Sequence, residues 1–219
     1  MNFFDLTIEA RGFAAASIGI AVRTIATCPA ACHRPDNRVL TGIGLLVVNP
    51  LPLTGQYHFT SRARCLLKDE KPTDLVDWLE AELPTSGAIV SWPNWGSVPA
   101  RLAALANPDR HPHLTAATAD TAGRWRALPD GQASHLRQAP AQSMPCLCLP
   151  DVPLHECHGD MPLELLPDPN VTAQQLIREA TAGWYTWAQD LSAFDDAKHP
   201  AQRAVRALDA WHDAQRTAG

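Results

Sequence analysis

Asp5, Thr7 and Glu9 stand two residues apart in the stretch NFFDLTIE (2–9), alternating with Phe4, Leu6 and Ile8. That is the period of a β-strand, so one face is apolar and the other presents two carboxylates and a hydroxyl. Same-face neighbours along a strand lie roughly 6–7 Å apart. Two readings stand side by side: a solvent-facing strand surface, or a site, because buried strands rarely tolerate unpaired acids. Glu179 sits beside Arg178 in a helical stretch, where an acid is ordinarily part of a solvated face. Asn94 and Ser97 belong to PNWGS, whose residue types suit a turn. Trp92 and Trp95 flank that turn, and Trp184 and Trp187 occupy a late helix. Aromatic faces can stack single-stranded bases; on an apolar helix stripe, as for Trp184, the reading is core.

The cysteines offer a different chemistry. Cys28-x3-Cys32-His33 and Cys146-x-Cys148…His155-x-Cys157-His158 supply zinc-ligand types. Their spacing matches no standard knuckle built from paired Cys-x2-Cys units. A free cysteine also behaves as a small buried apolar residue. Cys157 and His158 make a poor nucleophile–base pair, since sequence neighbours seldom face each other and no activating charge is evident.

These residues need elements to position them. After 2–9, ASIGIAVRTIA (16–26) reads as a second strand and VLTGIGLLVV (39–48) as a buried one, with a loop between them. QYHFTSRA reads as a short edge strand. Thr73 is expected to cap a helix over LVDWLEAEL, with Asp74 and Asp77 in its first turn and Leu75, Leu79 and Leu83 as its buried stripe. GAIVSW (87–92) reads as a short strand, and VPARLAALA as a helix with Pro99 in its first turn. The stretch 107–115 reads as a loop with a short strand at HLTAA. Residues 129–153, rich in Pro, Gln and Ser, read as an irregular insertion, and LHECHGDM (154–161) as a short helix. Thr172 is expected to cap a helix with Leu176, Ala180, Trp184 and Trp187 or Leu191 on one face. Pro200 starts a last helix, 200–217, with Val205, Leu208 and Trp211 apolar. This order gives an α/β or α+β layer with a mixed sheet.

Composition narrows the function classes. A chain of 219 residues suits one globular domain, and 19% charged residues with seven Trp argue against disorder. No apolar run approaches membrane-spanning length. The start, MNFFDLTIEAR, lacks the order of a signal peptide, which leads to a cytoplasmic expectation with free thiols. A net charge of −5 argues against a protein that coats nucleic acid through bulk basic charge, but not against one holding it with a few residues. There is no Gly-rich phosphate loop and no dinucleotide fingerprint.

Three stretches carry a family resemblance. FFDLTIEARG (3–12) resembles the acidic first strand of the DEDD-type 3′–5′ exonucleases. IVSWPNWGSVPARLAAL (89–105) resembles their strand, turn and Pro-bearing helix. LPDVPLHECHGDMP (149–162) with LIREATAGWYTWA (176–188) resembles their last segment, a short helix before a long one that bears the final acid. The resemblance spans about the whole chain, with short motifs. It implies one RNase H-like domain over 1–219, an α/β fold with a mixed β-sheet flanked by α-helices. It also implies hydrolysis of single-stranded DNA or RNA from the 3′ end with Mg²⁺ or Mn²⁺, hard cations that take carboxylate and phosphate oxygens.

Carried onto this sequence, the resemblance makes Asp5, Glu9 and Glu179 the metal ligands and catalytic acids. Thr7 stands where the family has Glu, and Ser97 where it has Asp, with Asn94 as the nearest carbonyl donor. Thr7, Trp92, Asn94, Trp95 and Ser97 would line the substrate. Gln174 and Gln175 stand where a water-positioning His or Tyr is usual. These departures raise the alternative of a catalytically degenerate RNase H-like domain that binds nucleic acid or a protein without cutting.

Overall fold

A computed structural model describes residues 15–26, 38–51, 53–92, 98–121, 123–128, 168–192 and 200–218. Three strands come first: β1 (Ser17–Ala26), β2 (Arg38–Leu51) and β3 (Gln56–Cys65). Next come α1 (Pro72–Glu82), β4 (Ile89–Ser91), α2 (Val98–Leu105), α3 (Pro112–Ala119) and β5 (Trp125–Ala127). Two long helices, α4 (Pro169–Ser192) and α5 (Pro200–Ala218), end the chain. The strands form one sheet in the order β3-β2-β1-β4-β5. β2 runs antiparallel to β1 and β3, whereas β4 is parallel to β1 and β5 to β4. The architecture is therefore α/β, a five-stranded mixed sheet flanked by helices. The expected strand at 2–9, the insertion at 129–153 and the short helix at 154–161 lie outside the described residues. Among those described, no helix is long and apolar enough to cross a membrane.

Alternation along the strands builds two cores. Ile18, Ile20 and Val22 of β1, with Leu40, Ile43 and Leu45 of β2 and Ile89 of β4, pack against Leu75, Val76 and Leu79 of α1, Leu102 of α2 and Leu114 of α3. Each aliphatic side chain buried this fully contributes about 1.5–3 kcal/mol. On the other face, Leu46 and Val48 of β2, Phe59 of β3 and Val90 of β4 meet Trp184 and Trp187 of α4 and Ala204 and Leu208 of α5. Leu40 and Ile43 share a face although they stand three positions apart. A β-bulge between Arg23 and Thr24 explains this, because Thr41 is the extra residue opposite them and resets the alternation. The Thr41 hydroxyl donates to the Arg23 carbonyl at 3.3 Å.

α4 lies across β1, β2 and β3. It approaches closely because glycine removes side chains beneath it. A Cβ on Gly19 would stand 2.3 Å from the Ala180 carbonyl oxygen, and one on Gly44 2.5 Å from the Leu176 carbonyl carbon. The helix answers with Leu176, Ala180, Trp184, Trp187 and Leu191, all buried, as the helical period predicts. The buried Trp184 indole donates to Ser17 Oγ at 2.9 Å. α5 is tied to the sheet by the Tyr57 hydroxyl, which donates to the Pro200 carbonyl at 3.0 Å.

Three local expectations are corrected. HLTAA is part of helix α3, not a strand. Pro112 occupies its first turn, and the carboxylate of Glu80 on α1 accepts the His113 and Leu114 N–H groups, both at 2.8 Å. That cap comes from another element and leaves no local signal. α1 starts at Pro72 with Lys71 as its N-cap, so Thr73 lies inside the helix. Proline suits the first helical position, where its missing N–H costs nothing, and Asp74 accepts the Lys71 N–H at 2.7 Å. α4 likewise begins before Thr172: Asp168 Oδ1 accepts the Asn170 N–H at 2.8 Å and Thr172 is buried.

Candidate functional site

In an open α/β sheet, ligands bind beyond the carboxyl ends of the strands, where successive connections diverge to opposite sides. Here that point lies between β1, whose chain continues to β2, and β4, whose chain continues to β5. β4 pairs with β1 only as far as Ile20 opposite Ser91, so Arg23 stands just past the end of β4. Its position is fixed from two sides. It has the same parity as Gly19 and Ala21, the α4-facing residues of β1, and the adjacent bulge holds its carbonyl. Bulges recur beside functional sites because they re-aim side chains.

Arg23 meets α4 there. Its Nη2 donates to Gln175 Oε1 at 3.1 Å and to Glu179 Oε1 at 3.3 Å. The Arg23 side chain is 16% exposed and that of Glu179 29%. Burial holds the Glu179 carboxyl above the usual carboxylate range, and the Arg23 charge opposes that shift. Trp92 closes the other side. It is 7% exposed, and its indole donates to the Glu179 carbonyl at 3.2 Å. Gly183 makes room for this ring, since a Cβ there would stand 3.0 Å from Trp92 Nε1. Cys65 of β3, a free thiol, also feels the Arg23 charge, but burial prevails and raises its pKa.

Of the residues expected to form the site, Glu179 and Trp92 are described, and the structure brings them together. Trp92 does so as a buried ring hydrogen-bonded to α4, without a face turned to solvent. Asp5, Thr7, Glu9, Asn94, Trp95 and Ser97 lie outside the described residues, as do Cys28, Cys32, Cys146, Cys148 and Cys157. Sequence reasoning missed Arg23, and named Gln175 only as standing where a His or Tyr is usual, not as a partner of Arg23. The signal for Arg23 was present: one charge in SIGIAVRTIA, an otherwise apolar and hydroxyl-bearing strand.

The described residues do not fit a pair of divalent cations. No group of three or more His, Cys, Asp or Glu side chains among them is placed to hold a metal ion. Glu179 already neutralises a guanidinium, and a divalent ion beside Arg23 would meet like-charge repulsion. β1, the central strand, offers no carboxylate between Ser17 and Ala26.

A second polar cluster joins α1 to α3. His111 is buried, and its Nδ1 accepts the Asn107 N–H at 2.8 Å. Nε2 therefore carries the ring proton and donates to Asp77 Oδ1 at 2.7 Å. Arg110 Nη2 donates to Asp77 Oδ2 at 2.7 Å. The His111 hydrogen bond, with Arg110 beside it, holds the Asp77 carboxyl below its usual range. Both imidazole nitrogens are committed, so this His–Asp pair ties helices together and has no free base to offer.

No family model, no curated protein and no solved structure matches this chain.

Proposed function

We propose that the chain is a catalytically degenerate RNase H-like domain that holds single-stranded nucleic acid without hydrolysing it. What supports the domain reading is coarser: among the described residues, three strands, a helix, a strand and two helices follow one another, and the sheet is mixed with helices on both faces. The observation that carries the reading is the Arg23–Glu179 pair. The acid that the resemblance assigns to a metal is bound instead to a guanidinium on the central strand. A cation belonging to the protein can attract a phosphate, but it cannot generate the hydroxide that a bound metal supplies.

The test is a nuclease assay on end-labelled single-stranded DNA and RNA with Mg²⁺ or Mn²⁺, run beside an anisotropy titration of the same oligonucleotides in EDTA. We expect no cleavage with either metal and saturable binding without metal. A ladder from the 3′ end that disappears in Asp5→Ala would overturn the reading in favour of a metal-dependent 3′–5′ exonuclease using Asp5, Glu9 and Glu179.

A further inference from the structure

The ion pairs of this protein differ in how well they are made. Arg62–Glu82 and Arg64–Glu70 close to 2.6 Å and Arg110–Asp77 to 2.7 Å, although the first and last arginines are more than half exposed. Arg23–Glu179 is the more buried pair, yet it stands at 3.3 Å. Charge-assisted N–H···O bonds ordinarily measure about 2.7–2.9 Å. Among the described residues, the bonds drawn from the Arg23 side chain both leave from Nη2, shared between Gln175 and Glu179. A guanidinium presents donors on three nitrogens in a planar fork that matches two oxygens of one phosphate. A buried pair with loose geometry repays little of its desolvation. Burial and position are thus arranged around Arg23, while its contact with Glu179 is longer than those of the other arginine pairs.

We infer that Arg23 anchors a phosphate group of the bound strand, with Glu179 as an internal competitor that the phosphate displaces. This rests on the nucleic-acid reading above and adds the contact and its metal independence. The location agrees: Arg23 lies in the carboxyl-terminal half of the central strand, past the end of the neighbouring parallel strand β4, and ligands approach α/β sheets at the carboxyl ends of the strands. The sign of the effect separates this role from a structural ion pair. If the pair only fastens β1 to α4, breaking it from either side harms the protein in the same way. If Glu179 competes with ligand phosphate, its removal strengthens binding and removal of Arg23 weakens it.

The experiment measures binding of a fluorescein-labelled single-stranded oligonucleotide and, separately, of thymidine monophosphate by calorimetry. Both use the full chain in EDTA, with thermal melts confirming that each variant is folded. Arg23→Gln is expected to weaken both ligands about tenfold or more, the scale of one charge-assisted contact. Arg23→Lys keeps the charge, loses the fork and is expected to fall between. Glu179→Gln, which keeps shape and removes the competing charge, is expected to tighten both ligands several-fold and to serve as the informative variant should Arg23→Gln not fold.

Oligonucleotide binding that is unchanged in Arg23→Lys and weakened in Glu179→Gln overturns the inference and leaves the nucleic-acid reading standing. Binding of the monophosphate with these signs, without oligonucleotide binding, supports the phosphate anchor and overturns the nucleic-acid reading. Binding of neither ligand overturns both.

Discussion

On the α1–α3 side of the sheet, Asp77 and Glu80 use both carboxylate oxygens on donors within 2.8 Å: His111 and Arg110 for one, two backbone N–H groups of α3 for the other. On the α4 side, Glu179 reaches Arg23 through Oε1 at 3.3 Å. Shape does the fastening there instead. Glycines admit the helix backbone, and Trp184 fills the space between helix and sheet. Helices can be held by saturated polar contacts or by close packing. On the α4 side the Arg23–Glu179 contact is the longer one, and that is where the candidate site lies.

The largest test of this contrast is Trp184→Ala. It empties a fully buried site and orphans Ser17 Oγ, and it should cost about 3–5 kcal/mol in denaturant unfolding. A loss under about 1 kcal/mol would show that α4 is not held by packing. Gly44→Ala comes next: its Cβ would drive into the Leu176 backbone, for an expected loss of about 1–3 kcal/mol. On the opposite face, Glu80→Ala removes the acceptor from the start of α3 and should cost about 0.5–2 kcal/mol, the range of a lost helix cap. Glu179→Gln, by contrast, should leave stability within about 1 kcal/mol of the parent.

The smallest effect is in the pH profile, where the two faces have opposite signs. Asp77 and Glu70 are held below their usual values, Asp77 chiefly by His111 and Glu70 chiefly by the Leu67 N–H. Their stabilisation is present above the unfolded values of 3.8 and 4.5 and is lost as pH falls through the folded ones. Glu179 is raised above 4.5 by burial. The folded state therefore binds its proton more tightly, and its penalty, present above the folded value, is relieved as pH falls toward 4.5. Melts taken from pH 7 downward should lose the upper limb in Glu179→Gln and shrink the lower one in Asp77→Asn. An unchanged upper limb in Glu179→Gln would place the buried carboxyl elsewhere.

Much of the scaffold was legible because its signals are local and periodic. β1, β2 and the Leu176–Ala180–Trp184 stripe follow from alternation and from the helical repeat. β5 was not legible, because three residues carry no period. α3 was misread because Glu80, which satisfies its first N–H groups, lies on another helix. Of the site, Glu179 was reached through the resemblance, whereas its partner was not. Arg23 becomes notable only when β1 is central, since a charge on a buried strand must find an opposite charge or a polar partner from another element.

The close fit between α4 and the glycine-lined strands also bears on biogenesis. β1, β2 and β3 are sequential, eleven and four residues apart, and pairing of strands so near in sequence closes early. The helix that covers their second face begins only at Pro169. During synthesis, Leu46, Val48 and Phe59 on one side of a paired sheet therefore await the last quarter of the chain. Exposed apolar sheet surface of this kind promotes aggregation. A nascent chain stalled before Pro169 should depend on chaperones, and the dependence should end once Trp184 has left the ribosome.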